Sequence, residues 1–483
     1  MDRTVPKTGS EEIELYIRTY YSLLRSSHAV QLDALVEAHI AMNSSLHVNT
    51  RQPTPDVSAL FYCIMRLPHC IADVDLVVMG QTDRVFHEYG YTGVAEWERV
   101  TAPARRRRMA YDGKRTLAAY IASRSDIDDL IPVLVAYQIE WNKFYPLLQS
   151  VTVQASLAAY SADSSMGRTA DLARALGLPP DDLSRLHEAW GQDMIPTLQK
   201  MARGPKHLSV RLLAGTYINY QRATSDWWYT VRQQIQPVEL EDRPVYFVSS
   251  NVHAIPNLLS GFALREDDNI LEFVERAGDP SLKAEYDYVR VREELNNKNN
   301  FLYYALRRYA IVPGVDERRL ELEAQVGITR APSLHGFDIE AQVIELNKLD
   351  PALMDPRLIC CSPEEMARLR ESDALIVNID YPLGMAAYHV MAKISQYVTR
   401  LGGIYVIGKA ATLNARIGDV LIANVVYDEH SQNSYMYGNC FNASDIIPYL
   451  TLNSVLDNQK VVTVRGTFLQ NARYMDVFYR EGY

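Results

Sequence analysis

The sequence predicts an α/β domain, a mixed sheet flanked by helices, preceded by an all-α N-terminal region. Three observations carry this. Apolar residues between 11 and about 235 recur at three- and four-residue spacing, as helices require. The composition shifts across Gln236-Pro237 to Asp242-Arg243-Pro244, and strand and helix signals alternate after it. Finally, Ala374 to Asn424 reads strand, glycine turn, helix, strand, polar loop, strand. Its polar residues gather at strand ends, where α/β sheets bind ligands.

In the helical part, predicted for residues 1–240, one apolar stripe is Ile13, Leu15, Tyr16, Tyr20, Leu23 and Leu24. Another is Leu117, Tyr120, Ile121, Ile127, Leu130, Ile131 and Leu134. Ser125-Asp126 with Asp128 and Asp129 marks a helix start, with acids at the positive end of the dipole. Arg105 to Arg108 read as a solvated helix face or loop, and Glu140-Trp141-Asn142-Lys143 as a packed helix face.

The α/β part is predicted for 241–483. Pro244–Ser250 is a buried strand with a small polar end, and 283–310 is helical. Ala341–Leu346 and Arg357–Cys361 are short strands. Ser362-Pro363-Glu364-Glu365 starts a helix, with proline at its first position. Ala374–Asp380 is a continuous apolar strand. The helix after Gly384 carries Ala387, Val390, Met391, Ile394, Tyr397, Val398 and Leu401 on one stripe and stops at Gly402-Gly403. Lys460–Arg465 is a strand, and Gln470–Tyr483 a helix.

Composition bounds the function. Apolar residues make up 48% and charged residues 22%, enough for a full core. The net charge of −10 argues against a nucleic-acid binder that works by phosphate neutralisation. The five cysteines show neither a CxxC pair nor metal-ligand spacing, and Cys360 and Cys361 read as buried thiols. Their odd number in a long chain fits a reducing cytoplasm. The first residues hold no apolar signal segment, and no apolar run reaches membrane-spanning length. No metal or organic cofactor is expected.

Gly403 to Lys409 has the spacing of a P-loop, but Ile-Tyr-Val-Ile between the glycines are strand formers and Ala410 stands where a hydroxyl residue is needed. No GxGxxG follows a strand. By contrast, Ile407-Gly-Lys-Ala-Ala-Thr-Leu-Asn-Ala-Arg-Ile-Gly-Asp-Val-Leu-Ile422 resembles a signature of the purine nucleoside phosphorylase and nucleosidase superfamily. In that superfamily a strand ending in Gly-Ser/Thr-Ala-Gly-Gly-Leu is followed by Ile-Gly-Asp-Val. Gly408, Ala410, Leu413, Gly418, Asp419 and Val420 match; Lys409 and Ala411-Thr412 depart from the pattern. The resemblance extends over about 244–483.

The resemblance implies a phosphorylase-type fold and a purine nucleoside or nucleotide as small-molecule substrate, cleaved at its N-glycosidic bond by hydrolysis or phosphorolysis. Phosphate would then be a co-substrate. Such relatives form homo-oligomers. It places Ser250, Asn251 and His253 in the loop after the first strand, near the nucleophile. Gly384 and Met385 fall in the turn before the central helix, Gly408, Lys409 and Ala410 in the anion-facing loop, and Phe468 against the base as a stacking ring. The superfamily's Glu-Met-Glu strand and leaving-group acid are expected beyond Tyr483, so no catalytic residue is assigned within 1–483. The rival reading is a non-catalytic nucleotide-binding or protein-interaction module.

Overall fold

The computed structural model describes residues 11–162, 166–235, 238–276, 279–291, 298–333, 339–358, 362–382, 384–450 and 453–481. Cys360, Cys361 and Leu383 lie outside them. The chain divides into two compact units: residues 1–223, 335–338 and 412–483 form the first, and 224–334 with 339–411 the second. Neither boundary falls at the expected 240/241 division.

The first unit is not all-α. It contains β1 (Val30–Gln31), β2 (Leu76–Gly80), β3 (Glu98–Ala102), β4 (Arg105–Tyr111), β5 (Thr116–Tyr120) and β6 (Ser209–Leu212) in one sheet of order β1-β6-β2-β5-β4-β3. β2 runs parallel to β5 and β6; β3, β4 and β1 pair antiparallel. These strands are two to seven residues long, and β5 runs almost directly into helix Arg124–Leu148, so Leu117, Tyr120 and Ile121 read as part of that helix's stripe.

The four arginines belong to β4, which corrects the reading of a solvated helix or loop. Side chains alternate along a strand, and this alternation turns Arg107 inward. Its guanidinium meets Asp126 at 3.0 Å and Asp129 at 2.9 Å. Both carboxylates sit in the first turns of helix Arg124–Leu148, whose start the sequence did mark. There Asp126 Oδ2 accepts hydrogen bonds from the backbone N–H of Ala122 at 2.8 Å and Ser123 at 3.2 Å. That helix is buried nearly all round, which makes it the axis of the unit's core.

The C-terminal segment returns to this unit as a small sheet of β12 (Val420–Asp428), β13 (Asn433–Met436) and β14 (Val455–Thr463), ordered β13-β12-β14. It is tied to the N-terminal helices through the Ser44–Asn471 bridge, a bond from Asn471 Nδ2 to the Met42 carbonyl at 3.0 Å, and the Arg465–Glu14 ion pair at 2.5 Å.

The second unit is built on a five-stranded sheet. Its strands are β7 (Val245–Ser250), β8 (Ile328–Ala331), β9 (Ala341–Glu345), β10 (Leu375–Asp380) and β11 (Leu401–Val406), in the order β11-β7-β10-β9-β8. β11, β7 and β10 are parallel; β9 and β8 are antiparallel. β7, β9 and β10 match the expected strands, and helix Pro363–Glu371 begins at the expected capping box of Ser362 and Glu365. Of the expected strand Arg357–Cys361, residues 359–361 lie outside the described residues, and Arg357 and Leu358 belong to the short 3-10 turn Pro356–Leu358. One expectation fails. The helix after Gly384 ends at Ile394, and Gly402-Gly403 lie inside β11. Gly402 serves packing instead: a Cβ there would stand 2.8 Å from the Tyr246 ring.

Candidate functional site

Three parallel neighbours, β11, β7 and β10, end at one edge of the second unit's sheet. β7 lies between two strands that both follow it in sequence, so the chain connections diverge around its end. This is the crevice geometry in which open α/β sheets hold ligands. The register fixes what arrives there. Ser250 pairs with Asp380 across β7 and β10, and the N–H of Ile407 donates to the Ser249 carbonyl at 2.9 Å. The edge therefore collects the Ser250–His253 loop, Asp380–Pro382 with Gly384, and the Gly408–Ala410 loop.

A layer of neutral polar side chains supports this rim from below. Ser250 Oγ donates to Asn378 Oδ1 at 2.9 Å, and Asn378 Nδ2 donates to Gln342 Oε1 at 2.9 Å and to the Asn251 carbonyl at 3.2 Å. Gln342 Nε2 donates to the Val252 carbonyl at 2.8 Å. Arg330, clamped between Glu323 at 2.5 Å and Glu340 at 2.6 Å, also reaches that carbonyl at 3.4 Å. The carbonyls of residues 251 and 252 are thus held toward the sheet. Asn251 Oδ1 accepts from the N–H groups of His253 at 2.8 Å and Ala254 at 2.7 Å, which fixes the turn into helix Ala254–Ser260.

Gly384 heads helix Met385–Ile394 with φ 51°, a value that favours glycine. Met385 occupies the first helical position and is half-buried. Gly408, Lys409 and Ala410 are exposed. Ser250, Asn251, His253, Gly384, Met385 and the Gly408–Ala410 loop therefore share one rim.

Phe468 does not join them. It is 2% exposed and packs in the first unit's core, 5.1 Å from the Tyr62 ring, 5.9 Å from His39 and 6.2 Å from His47. A ring so enclosed cannot stack on a base. The resembling motif is also divided: β11 belongs to one unit and β12 to the other. Asp419 is spent on the turn before β12, accepting from the N–H groups of Arg416 and Ser454, each at 2.8 Å.

Asn378, Gln342 and Arg330 were missed from the sequence. The signal was present for two of them: Asn378 interrupts the apolar run of β10, and Gln342 that of β9.

The first unit holds a different polar assembly, fully enclosed. Tyr16 Oη lies 3.2 Å from His39 Nδ1, His39 Nε2 lies 3.1 Å from His47 Nδ1, and His47 Nε2 lies 2.6 Å from Glu140 Oε1. Glu140 also accepts from the Asp56 N–H at 2.5 Å and pairs with Lys143 at 2.7 Å. Burial, reinforced by His47, holds the His39 imidazole well below its ordinary pKa, and burial pushes the Tyr16 hydroxyl well above its own. Among the described residues no cluster of His, Cys, Asp and Glu is arranged to hold a metal, and no helix is long and apolar enough to cross a membrane.

No curated protein and no solved structure matches this chain. A family of unknown function (DUF6909) matches residues 32–483, and the chain belongs to that family.

Proposed function

We propose that the rim of the second unit binds a purine nucleoside or nucleotide, and that the protein cleaves such a substrate at its N-glycosidic bond. On this reading the sheet is of the phosphorylase type, and the protein works as a homo-oligomer in the cytoplasm. The observation that carries it is the delivery of Ser250, Asn251, His253, Gly384 and Lys409 to one edge by three adjacent parallel strands.

The chemistry suits such an edge. Glycosidic cleavage develops positive charge on the sugar, and the departing base must receive a proton or a hydrogen bond. Water or phosphate must be positioned beneath the ribose. Lys409 supplies a cation for a 5′-phosphate or for phosphate as co-substrate. Ser250 and Asn251, held by Asn378 and Gln342, form a preorganised polar floor. No group among these residues is assigned as the leaving-group acid.

The test is incubation with AMP, adenosine, inosine or methylthioadenosine, with and without phosphate, followed by chromatography for free base. Release of base supports the reading, and dependence on phosphate separates phosphorolysis from hydrolysis. No base from any substrate, with the protein folded, sinks it. The rival is a module that binds a nucleotide without turnover. It is favoured by the structural use of Asp419 and the enclosure of Phe468. Calorimetry that finds tight binding with no product supports the rival.

A further inference from the structure

The first unit contains a cavity of about 230 Å³ between the loop 67–73, helix Arg124–Leu148 and helix Met194–Arg203. Its floor is apolar and aromatic: Leu67 is 1% exposed, and Trp190 is 7% exposed. Two hydroxyls interrupt that floor. Tyr137, 1% exposed, and Thr197, 5% exposed, both line the cavity. A hydroxyl at a cavity wall can hydrogen-bond what enters, and a ligand that covers it without a bond forfeits on the order of 1–3 kcal/mol. Burial pushes the Tyr137 phenol far above its ordinary pKa, so it remains protonated and can donate.

The rim is charged. Lys200 pairs with Asp73 at 2.7 Å, which leaves Asp193 as a second carboxylate beside a neutralised pair. The opening therefore carries one excess negative charge from these three groups. A cavity of roughly 150 Å³ accepts benzene; this one has space for one ring with a short substituent.

We propose that this cavity binds a one-ring aromatic amine, its ring against Trp190 and Leu67, a ring hydroxyl meeting Tyr137, and its ammonium at Asp193. The site lies in the first unit and is independent of the rim described above. An aromatic face beside a cation adds further attraction.

The probe is tyramine, titrated into the full chain by calorimetry and by Trp fluorescence. Phenethylamine, 4-ethylphenol and 4-hydroxyphenylacetate serve as comparisons. Tyramine should bind about fivefold more tightly than phenethylamine, as one neutral hydrogen bond provides. It should bind about tenfold more tightly than 4-ethylphenol, as a charge-assisted bond provides, and 4-hydroxyphenylacetate should bind most weakly. Tyr137→Phe should weaken tyramine about fivefold and leave phenethylamine unchanged. Asp193→Asn, a surface change that spares the core, should erase the advantage of tyramine over 4-ethylphenol. Absence of tyramine binding at millimolar concentration overturns the proposal, as does tyramine binding indifferent to both substitutions. Neither result bears on nucleoside cleavage.

Discussion

The two units treat the polar groups near their strand ends in opposite ways. In the first, the groups beside β4 and at the start of helix Arg124–Leu148 are charged, largely buried and paired with one another. Arg107 bridges Asp126 and Asp129, Arg105 reaches Asp129 at 2.5 Å, and Tyr20 donates to Asp128 at 2.5 Å. In the second, Ser250, Asn378 and Gln342 beneath the rim are neutral, the one cation among these supports, Arg330, is paired with Glu323 and Glu340, and the rim reaches solvent at Lys409. Buried ions that satisfy one another leave no capacity for a ligand. A neutral, hydrogen-bonded floor beneath an exposed cation leaves that capacity open. The first arrangement reads as architecture and the second as a platform, and substitutions can break that distinction.

The largest expected effect is at Arg107. Arg107→Met removes the shared cation from two buried aspartates, and an uncompensated buried charge costs about 3–5 kcal/mol. Urea unfolding should show a much lower midpoint. A loss under 1 kcal/mol would mean that the ion cluster is not what holds helix Arg124–Leu148 against β4. Phe468→Ala should cost a similar amount, about 3–5 kcal/mol, as a large core ring replaced by a cavity. Its effect on nucleotide binding at the second unit's rim should be nil at temperatures where the variant is folded. Weakened binding in a well-folded Phe468→Ala protein would restore the stacking role that the enclosure of the ring argues against.

A smaller effect concerns pH. His39 faces Tyr16, His47 and, through His47, Glu140, with Phe468 against its ring. Its folded pKa is lowered, by burial first and then by His47. A base with a lowered folded pKa stays neutral in the fold but takes a proton in the unfolded chain once the pH drops below about 6.5. The stability it contributes is whole above that value and declines as the pH falls from there. Between pH 7.5 and 5.5 the wild-type protein should lose about 1 kcal/mol more than His39→Gln. Equal losses in the two proteins would show that the imidazole chain does not report on pH.

The legible parts of the fold were those with an unbroken local signal. The run Ala374–Asp380 specified β10, and Ser362-Pro363 with Glu365 specified a helix start that its capping box confirms. The first unit's sheet was hidden because β1, β2, β5 and β6 are too short to overrule the helical period around them. Arg105 to Arg108 misled because four charges in a row suggest solvent, while the partners that bury Arg107 lie about twenty residues away. At the rim, glycines and strand ends were readable in sequence. Gln342 and Arg330 were not, since their roles depend on β8 and β9 packing beside β10. Phe468 was legible as an aromatic ring after a strand, but its destination depends on a chain that returns to the first unit after residue 411.

The smallest change in stability, and the sharpest test of the distinction, is expected at Lys409. The side chain is exposed and lies outside every strand, so Lys409→Ala should alter the unfolding free energy by no more than about 0.5 kcal/mol. The same substitution removes the cation from a rim whose floor is neutral. An exposed or half-exposed charge pair contributes about 1 kcal/mol, so affinity for AMP should fall roughly fivefold while affinity for adenosine, which lacks the phosphate, stays level. The contrast with Arg107 is then complete: one cation whose loss lowers the unfolding midpoint and leaves no ligand phenotype, and one whose loss is silent in unfolding and visible in the AMP-to-adenosine ratio. If Lys409→Ala leaves that ratio unchanged, the phosphate is not read at this loop, and the open rim has to be explained by another ligand.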